Sequence, residues 1–207
     1  VFEVDAEVRK NTLAALDVFR SLGATVVEVD LSWKPGILEA GMNYLRHIFG
    51  AYLATLLEEH ADKMTSYVRE FAEEGKGSTS ADCVASLETI AEMYLTLGPI
   101  LEKFDVLICP TNATTSVAAD HDHTKDKVLI NGKEVSPTLG WAMTTPFNMQ
   151  SRCPVLSVPS GHASNGVPTG IQIVGRTYCD ADVFRAAMAF ETAVGGWYGS
   201  AATRPGL

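Results

Sequence analysis

The sequence predicts an α/β fold, and three observations carry that expectation. Residues 5–31 run helix, Gly, strand. The middle, residues 36–103, is helical in its apolar spacing. Three short apolar runs, FDVLICPT, PVLSVP and GIQIVG, are bounded by Pro, Gly, Ser and Asn, as buried strands usually are.

The first helix is expected over 5–22, where Val8, Thr12, Ala15, Leu16 and Phe19 fall on one face. Gly23 follows at a plausible C′ position. In ATVVEVDL, 24–31, Val27 and Val29 alternate with Glu28 and Asp30, which predicts a strand with one wet face. The helical middle contains one connector, EEGKGSTSADC, where Ser80 or Asp82 is placed to cap a helix running to about Thr96. A strand over 104–109 reads as fully buried, hence central and parallel. The polar stretch 112–136 predicts a long loop with a small hairpin, KVLINGKEV, turned by Asn131-Gly132. LGWAMTTPFNM is expected to hold a short helix. Strands near 154–159 and 168–174 follow, and Asp180 is placed to cap a last helix bearing Val183, Ala187, Phe190 and Val194. The 207 residues suffice for one domain with a core, and the expectation is a single unit over 1–207.

The formal net charge of −9 disfavours non-specific nucleic-acid binding, and no Lys/Arg run offsets it. No apolar window approaches a membrane span, and the charged VFEVDAEVRK start does not resemble a signal peptide. Cys83, Cys109, Cys153 and Cys179 are scattered without a CxxC pair, as expected of packed thiols in a reducing compartment such as the cytoplasm. A chain opening on Val rather than Met suggests a piece of something longer.

No motif supplies a self-sufficient active site. G-x-S-x-G and S-x-x-K are absent, and so are the phosphate-binding glycine loops. Ser160 and His162 lie too close in sequence to aim at each other, so the pair reads as a turn. Cys153 with His162 and Arg152 nearby is a conceivable thiolate, but a packed thiol is the better reading. Asp120-His121-Asp122-His123 is the densest set of metal-ligand types, and a solvated loop explains it better. The paired acids Glu58-Glu59 and Glu73-Glu74 read as solvated. The expectation is therefore no cofactor and no metal.

FDVLICPT, PFNMQSRCPVLSVPSG, GVPTGIQIVGR and DADVFRAAMAFE, in this order and spacing, resemble the C-terminal portion of the amidase signature family. LGATVVEVDL resembles it too. The resemblance implies part of the mixed β-sheet of the amidase signature fold, flanked by helices. It also implies hydrolysis of a carboxamide by a serine nucleophile with a neutral lysine base. In the family both residues stand upstream of these blocks, beside a Gly-Ser-Ser-rich segment, and this chain holds no Ser-Ser pair. The expectation is a C-terminal fragment, inactive alone, whose partners are a small-molecule amide and the missing N-terminal half, with a homodimer allowed.

By the same resemblance, the residues before the Phe-Asn block line the acyl pocket. They are Thr138, Trp141, Thr144 and Thr145, with Thr111 and Asn112 at the rim. Trp141 is either a flat apolar wall or a core residue, and Thr111 and Asn112 are either rim or strand-end turn residues. The family pattern has small residues where Ser151-Arg152-Cys153 stand here, and Arg152 either closes the pocket or forms a surface ion pair. Two alternatives remain. One is a non-catalytic binding domain. The other is the glutamine-hydrolysing component of a tRNA-dependent amidotransferase, which usually carries an acid near the position of Trp141.

Overall fold

The computed structural model describes residues 1–196. Helix α1 (Ala6–Ser21) begins where the Asp5 carboxylate accepts from the backbone N–H of Glu7 at 2.7 Å. It buries Val8, Thr12, Ala15 and Phe19, a 4-3-4 stripe. It ends as the spacing predicts: Gly23 has φ +89°, its N–H reaches Arg20 O, and Ala24 N–H reaches Phe19 O. That is a Schellman close, and it needs a residue free to take positive φ.

The strand expected over 24–31 is absent. Alternation supplies a wet and a dry side, but a strand also needs a neighbour for its N–H and C=O groups, and no described strand pairs with this segment. Val26 packs on one core cluster and Leu31 on another, while Val27 stays 52% exposed.

The helical middle is present but broken. It comprises α2 (Ile37–Leu45), a π-helical turn (Arg46–Gly50), α3 (Ala51–Ala54), α4 (Leu57–His60), a 3₁₀ turn (Ala61–Lys63), α5 (Ser66–Lys76) and α6 (Ser80–Lys103). The cap of α6 is Thr79, one residue before the expected pair. Its hydroxyl accepts from Asp82 N–H, and the Asp82 carboxylate accepts from Thr79 N–H, a reciprocal capping box. The helix passes the expected stop at Thr96 and continues through Pro99. An interior proline costs a helix hydrogen bond. Burial of Leu97 and Leu101 on either side of Pro99 offsets that loss.

β1 (Val106–Pro110) follows, then the hairpin of β2 (Val128–Ile130) and β3 (Lys133–Val135). Asn131 and Gly132 turn it with φ of 51° and 79°, as their dipeptide predicts. α7 (Thr145–Met149), β4 (Val155–His162), β5 (Pro168–Gly175) and α8 (Asp180–Ala193) complete the described chain. Cys179, not Asp180, is the N-cap of α8, and Asp180 is its first helical residue, where its charge still favours the positive end.

The main sheet has order β1-β5-β4 and is antiparallel throughout. β1 is thus an antiparallel strand at one side of this sheet, not a central parallel one. Its unbroken apolar run reflects helices on both faces, which a parallel strand would also have. Ile171 and Ile173 of β5 face α1 and α8, in a cluster with Phe19, Val183, Ala187 and Phe190. Val174 and Leu107 face the other way, against Leu97, Leu101 and Phe147 of α6 and α7. A separate small core gathers Ala113, Val128 and Ile130, with Phe2, Val4, Val135 and Trp141 around them.

Candidate functional site

The candidate site lies where β1 ends, the long 111–143 segment returns, and α7 begins. β5 anchors it. Cys109 and Ser157 both stand opposite Gln172 in the ladder, so all three side chains share one face of the sheet. Gln172 is fully buried. Its Nε2 donates to the carbonyls of Pro110 and Met143, each at 2.9 Å. Its Oε1 has no hydrogen-bond partner, and its amide N–H side lies toward the Cys109 thiol, where it favours the thiolate. Burial pushes that thiol up to about 12, against the smaller opposing effect of Gln172, so it stays protonated at neutral pH.

One register step on, Thr111 and Ser157 hydroxyls pair at 2.7 Å above Gly170. A Cβ at Gly170 would meet Thr111 Oγ1 at 3.0 Å, so the absence of a side chain there leaves the hydroxyl pair its room.

The residues expected to line the pocket sit as follows. Asn112 and Thr138 are exposed. Trp141 is half-buried against the small core, its Nε1 donating to Pro137 O at 3.1 Å and its carbonyl accepting from Ala113 N–H at 2.8 Å. Thr144 is half-buried and its carbonyl accepts from Phe147 and Asn148, opening α7. Thr145 is buried, with Cγ2 against Gly41 of α2. Trp141, Thr144 and Thr145 therefore stand on one continuous turn of chain. The bond to Ala113 brings the residue next to Asn112 onto it.

Sequence reasoning missed a second anchor of this turn. Pro137 O is approached by His123 Nδ1 at 2.8 Å and His121 Nε2 at 3.3 Å, besides Trp141. A carbonyl only accepts, so each of those ring nitrogens carries a hydrogen. The two imidazoles meet edge to face at 4.8 Å, and Tyr67 meets His123 the same way at 5.2 Å. Asp120 is exposed in a loop, but the solvated reading is corrected for its neighbours: His121, Asp122 and His123 are half-buried, and Asp122 accepts from Ser66 and Lys125. Lys125, Thr124 and Ser66 hold the Asp122 carboxyl well below the usual range. The signal was the pair of histidines two apart on the segment facing α5. Among the described residues no group of three or more His, Cys, Asp or Glu is placed to hold a metal ion.

The other candidates take ordinary places. Ser160 Oγ bonds Thr169 Oγ1 at 2.9 Å across the ladder. Cys153 is buried beside Phe147, 3.8 Å from Thr177, and burial pushes its thiol up. Glu74 is not simply solvated: it pairs with Arg46 at 2.7 Å. Arg152 is exposed. Ser78 Oγ lies 3.1 Å from His47 Nδ1 at the start of α6, away from the site.

The family described as Amidase matches residues 1–184. The chain belongs to the amidase family. It is similar to an acylamidase of Rhodococcus erythropolis, 29% identical over 91% of this chain and 39% of that one. It is also similar to a glutamyl-tRNA(Gln) amidotransferase component of Oceanobacillus iheyensis, 28% identical over 92% of this chain and 42% of that one. Among solved structures, a bacterial aryl acylamidase of the amidase signature enzymes superposes with TM-score 0.82 at 28% identity, covering 93% of this chain and 41% of the other. The amidase fold seen here is therefore that of the amidase signature enzymes. The chain spans about 40% of the length of the amidase-family relatives it matches. Among the described residues no helix is long and apolar enough to cross a membrane.

Proposed function

We propose that this chain is the C-terminal part of an amidase that hydrolyses the carbon–nitrogen bond of a small or medium carboxamide. The observation that carries the reading is the family match over 1–184, together with the superposition on an aryl acylamidase. The serine nucleophile and lysine base belong to the part of such enzymes that this chain does not match. Among its described residues no serine hydroxyl is hydrogen-bonded to a lysine amine, and the Cys109 and Cys153 thiols are held protonated by desolvation. The chain contributes the β1-β5-β4 sheet and one wall of the acyl pocket, formed by Thr138, Trp141, Thr144 and Thr145 with Asn112 at the rim. Trp141 offers the wall a broad apolar ring while its N–H is already satisfied by Pro137.

The test is to assay two proteins, the 207 residues alone and the product of the complete reading frame, on acyl anilides, aliphatic amides and glutamine. Turnover is expected of the second only. Hydrolysis by the 207 residues alone overturns the division of labour proposed here.

The similarity to a glutamyl-tRNA(Gln) amidotransferase component favours a second reading, a glutamine-hydrolysing role within such an enzyme. An aromatic residue at 141 argues for an apolar acyl group instead. Glutamine turned over in preference to acyl anilides decides for the second reading.

A further inference from the structure

The segment 111–143 leaves the sheet at Pro110 and returns at Met143. It carries the proposed rim and, in Thr138 and Trp141, half of the proposed pocket wall. Both of its ends meet at one side chain. Gln172 has two Nε2 hydrogens, and each is used once, on Pro110 O and on Met143 O. These two carbonyls lie 62 and 29 residues from Gln172, so no local turn could hold them there. The amide sits on the most buried strand of the sheet, between β1 and β4.

From this geometry we infer that Gln172 is a positioning residue, a clamp that fixes both ends of the 111–143 segment to β5. The inference rests on the proposed pocket only for its effect on substrate; the clamp itself is a statement about the chain. Only an uncharged primary amide of this length supplies two donors from one atom at this depth. A carboxylate would supply none, and a thioether would take from two half-buried carbonyls the donor they have here. With the clamp gone, Met143 is free to shift, and with it Trp141, Thr144 and Thr145. The chemistry of the nucleophile is untouched by such a shift, but the fit of the acyl group is not.

Hydrogen–deuterium exchange of the protein expressed from its complete reading frame tests the clamp directly. In Gln172→Met, amides of residues 138–145 are expected to exchange about tenfold faster or more, as follows from losing both hydrogen bonds to half-buried acceptors. Amides of Ile171 and Ile173 are expected to hold their wild-type rates. Unchanged exchange at 138–145, or equal loosening of the loop and β5, overturns the clamp. Should the variant fail to fold, the wild-type protein with nitrogen-15 glutamine answers the same question. The two Gln172 Nε2 protons are expected to exchange as slowly as the β5 amides, and exchange at the rate of an exposed amide overturns the clamp. Kinetics on an acyl-anilide series then separates the two claims. A rise in KM with little change in kcat supports both. A loosened loop with unchanged KM leaves the clamp standing and removes the loop from the pocket.

Discussion

Gly75 of α5 lies flat against Gly50, the last residue of the π-helical turn. A Cβ at Gly50 would meet Gly75 Cα and Phe71 O at 3.0 Å, and one at Gly75 would run into the Gly50 backbone. The two helical segments approach this closely because both residues lack side chains, and the widened turn at 46–50 brings Gly50 round to meet α5. The Arg46–Glu74 pair at 2.7 Å fastens the same junction. Gly75→Ala puts a methyl group against backbone that cannot rotate away. A stability loss of about 1–3 kcal/mol is expected, read as a lower urea midpoint at unchanged slope. Gly77→Ala, two residues on, meets only ordinary contact at 3.6 Å and serves as the control.

Phe190 on α8 stacks on Phe19 of α1, ring centroids 5.2 Å apart and 15° between planes, in the cluster beneath Ile171 and Ile173. Phe190→Ala is expected to cost about 3–5 kcal/mol, the range for emptying a buried aromatic site. Phe184 on the same helix is 57% exposed, and its replacement by Ala is expected to change stability by no more than about 0.5 kcal/mol. Paired denaturation curves measure both.

The Cys109 thiol gives the fold a dependence on alkaline pH. Its ordinary value is 9.0, and burial raises it to about 12 in the folded chain. Between those values the unfolded chain loses the proton and the folded chain keeps it, so stability falls as pH rises. The contribution is complete below pH 9 and is lost as pH climbs towards 12. Cys109→Ser is expected to flatten that alkaline limb in denaturation curves collected across pH. Iodoacetamide at pH 8 is expected to spare Cys109 and Cys153 in the native protein and label both after unfolding, counted by mass spectrometry.

Trp141 holds the loop by its N–H and offers the proposed pocket its ring. Trp141→Phe keeps an aromatic surface and gives up the bond to Pro137, at a stability loss of about 1 kcal/mol. Trp141→Ala removes both, and on the amidase reading proposed above the KM profile across acyl sizes, measured on the protein from the complete reading frame, is expected to shift. A flat profile would place Trp141 in the core with Ala113, Val128 and Ile130, and outside the pocket.

Much of this architecture is legible residue by residue. Asp5 and Gly23 mark the two ends of α1, Asn131-Gly132 marks a hairpin, and the two runs around 154–175 mark a strand pair, because each depends on neighbours in sequence. The strand expected at 24–31 depends on a partner the segment does not carry. Pro99 inside α6 depends on how deeply Leu97 and Leu101 are buried. The direction of β1 depends on β5, which its composition does not register. At the site, the Trp141 turn is legible through the motif that follows it. The acceptors of Gln172 and of the two histidines are backbone carbonyls far away in sequence, and such groups are identical at every position.

The bulge at Pro159 and Gly161 also bears on how copies of this chain behave at high concentration. β4 ends the described sheet, and a copy adding to its bare margin would need a regular row of donors. Proline offers none, and the irregularity beside it twists the row out of line. A filament seeded there would have only Val155–Val158 as its footing, so strand addition at β4 should lag behind contacts through exposed helix side chains such as Leu95 and Met188.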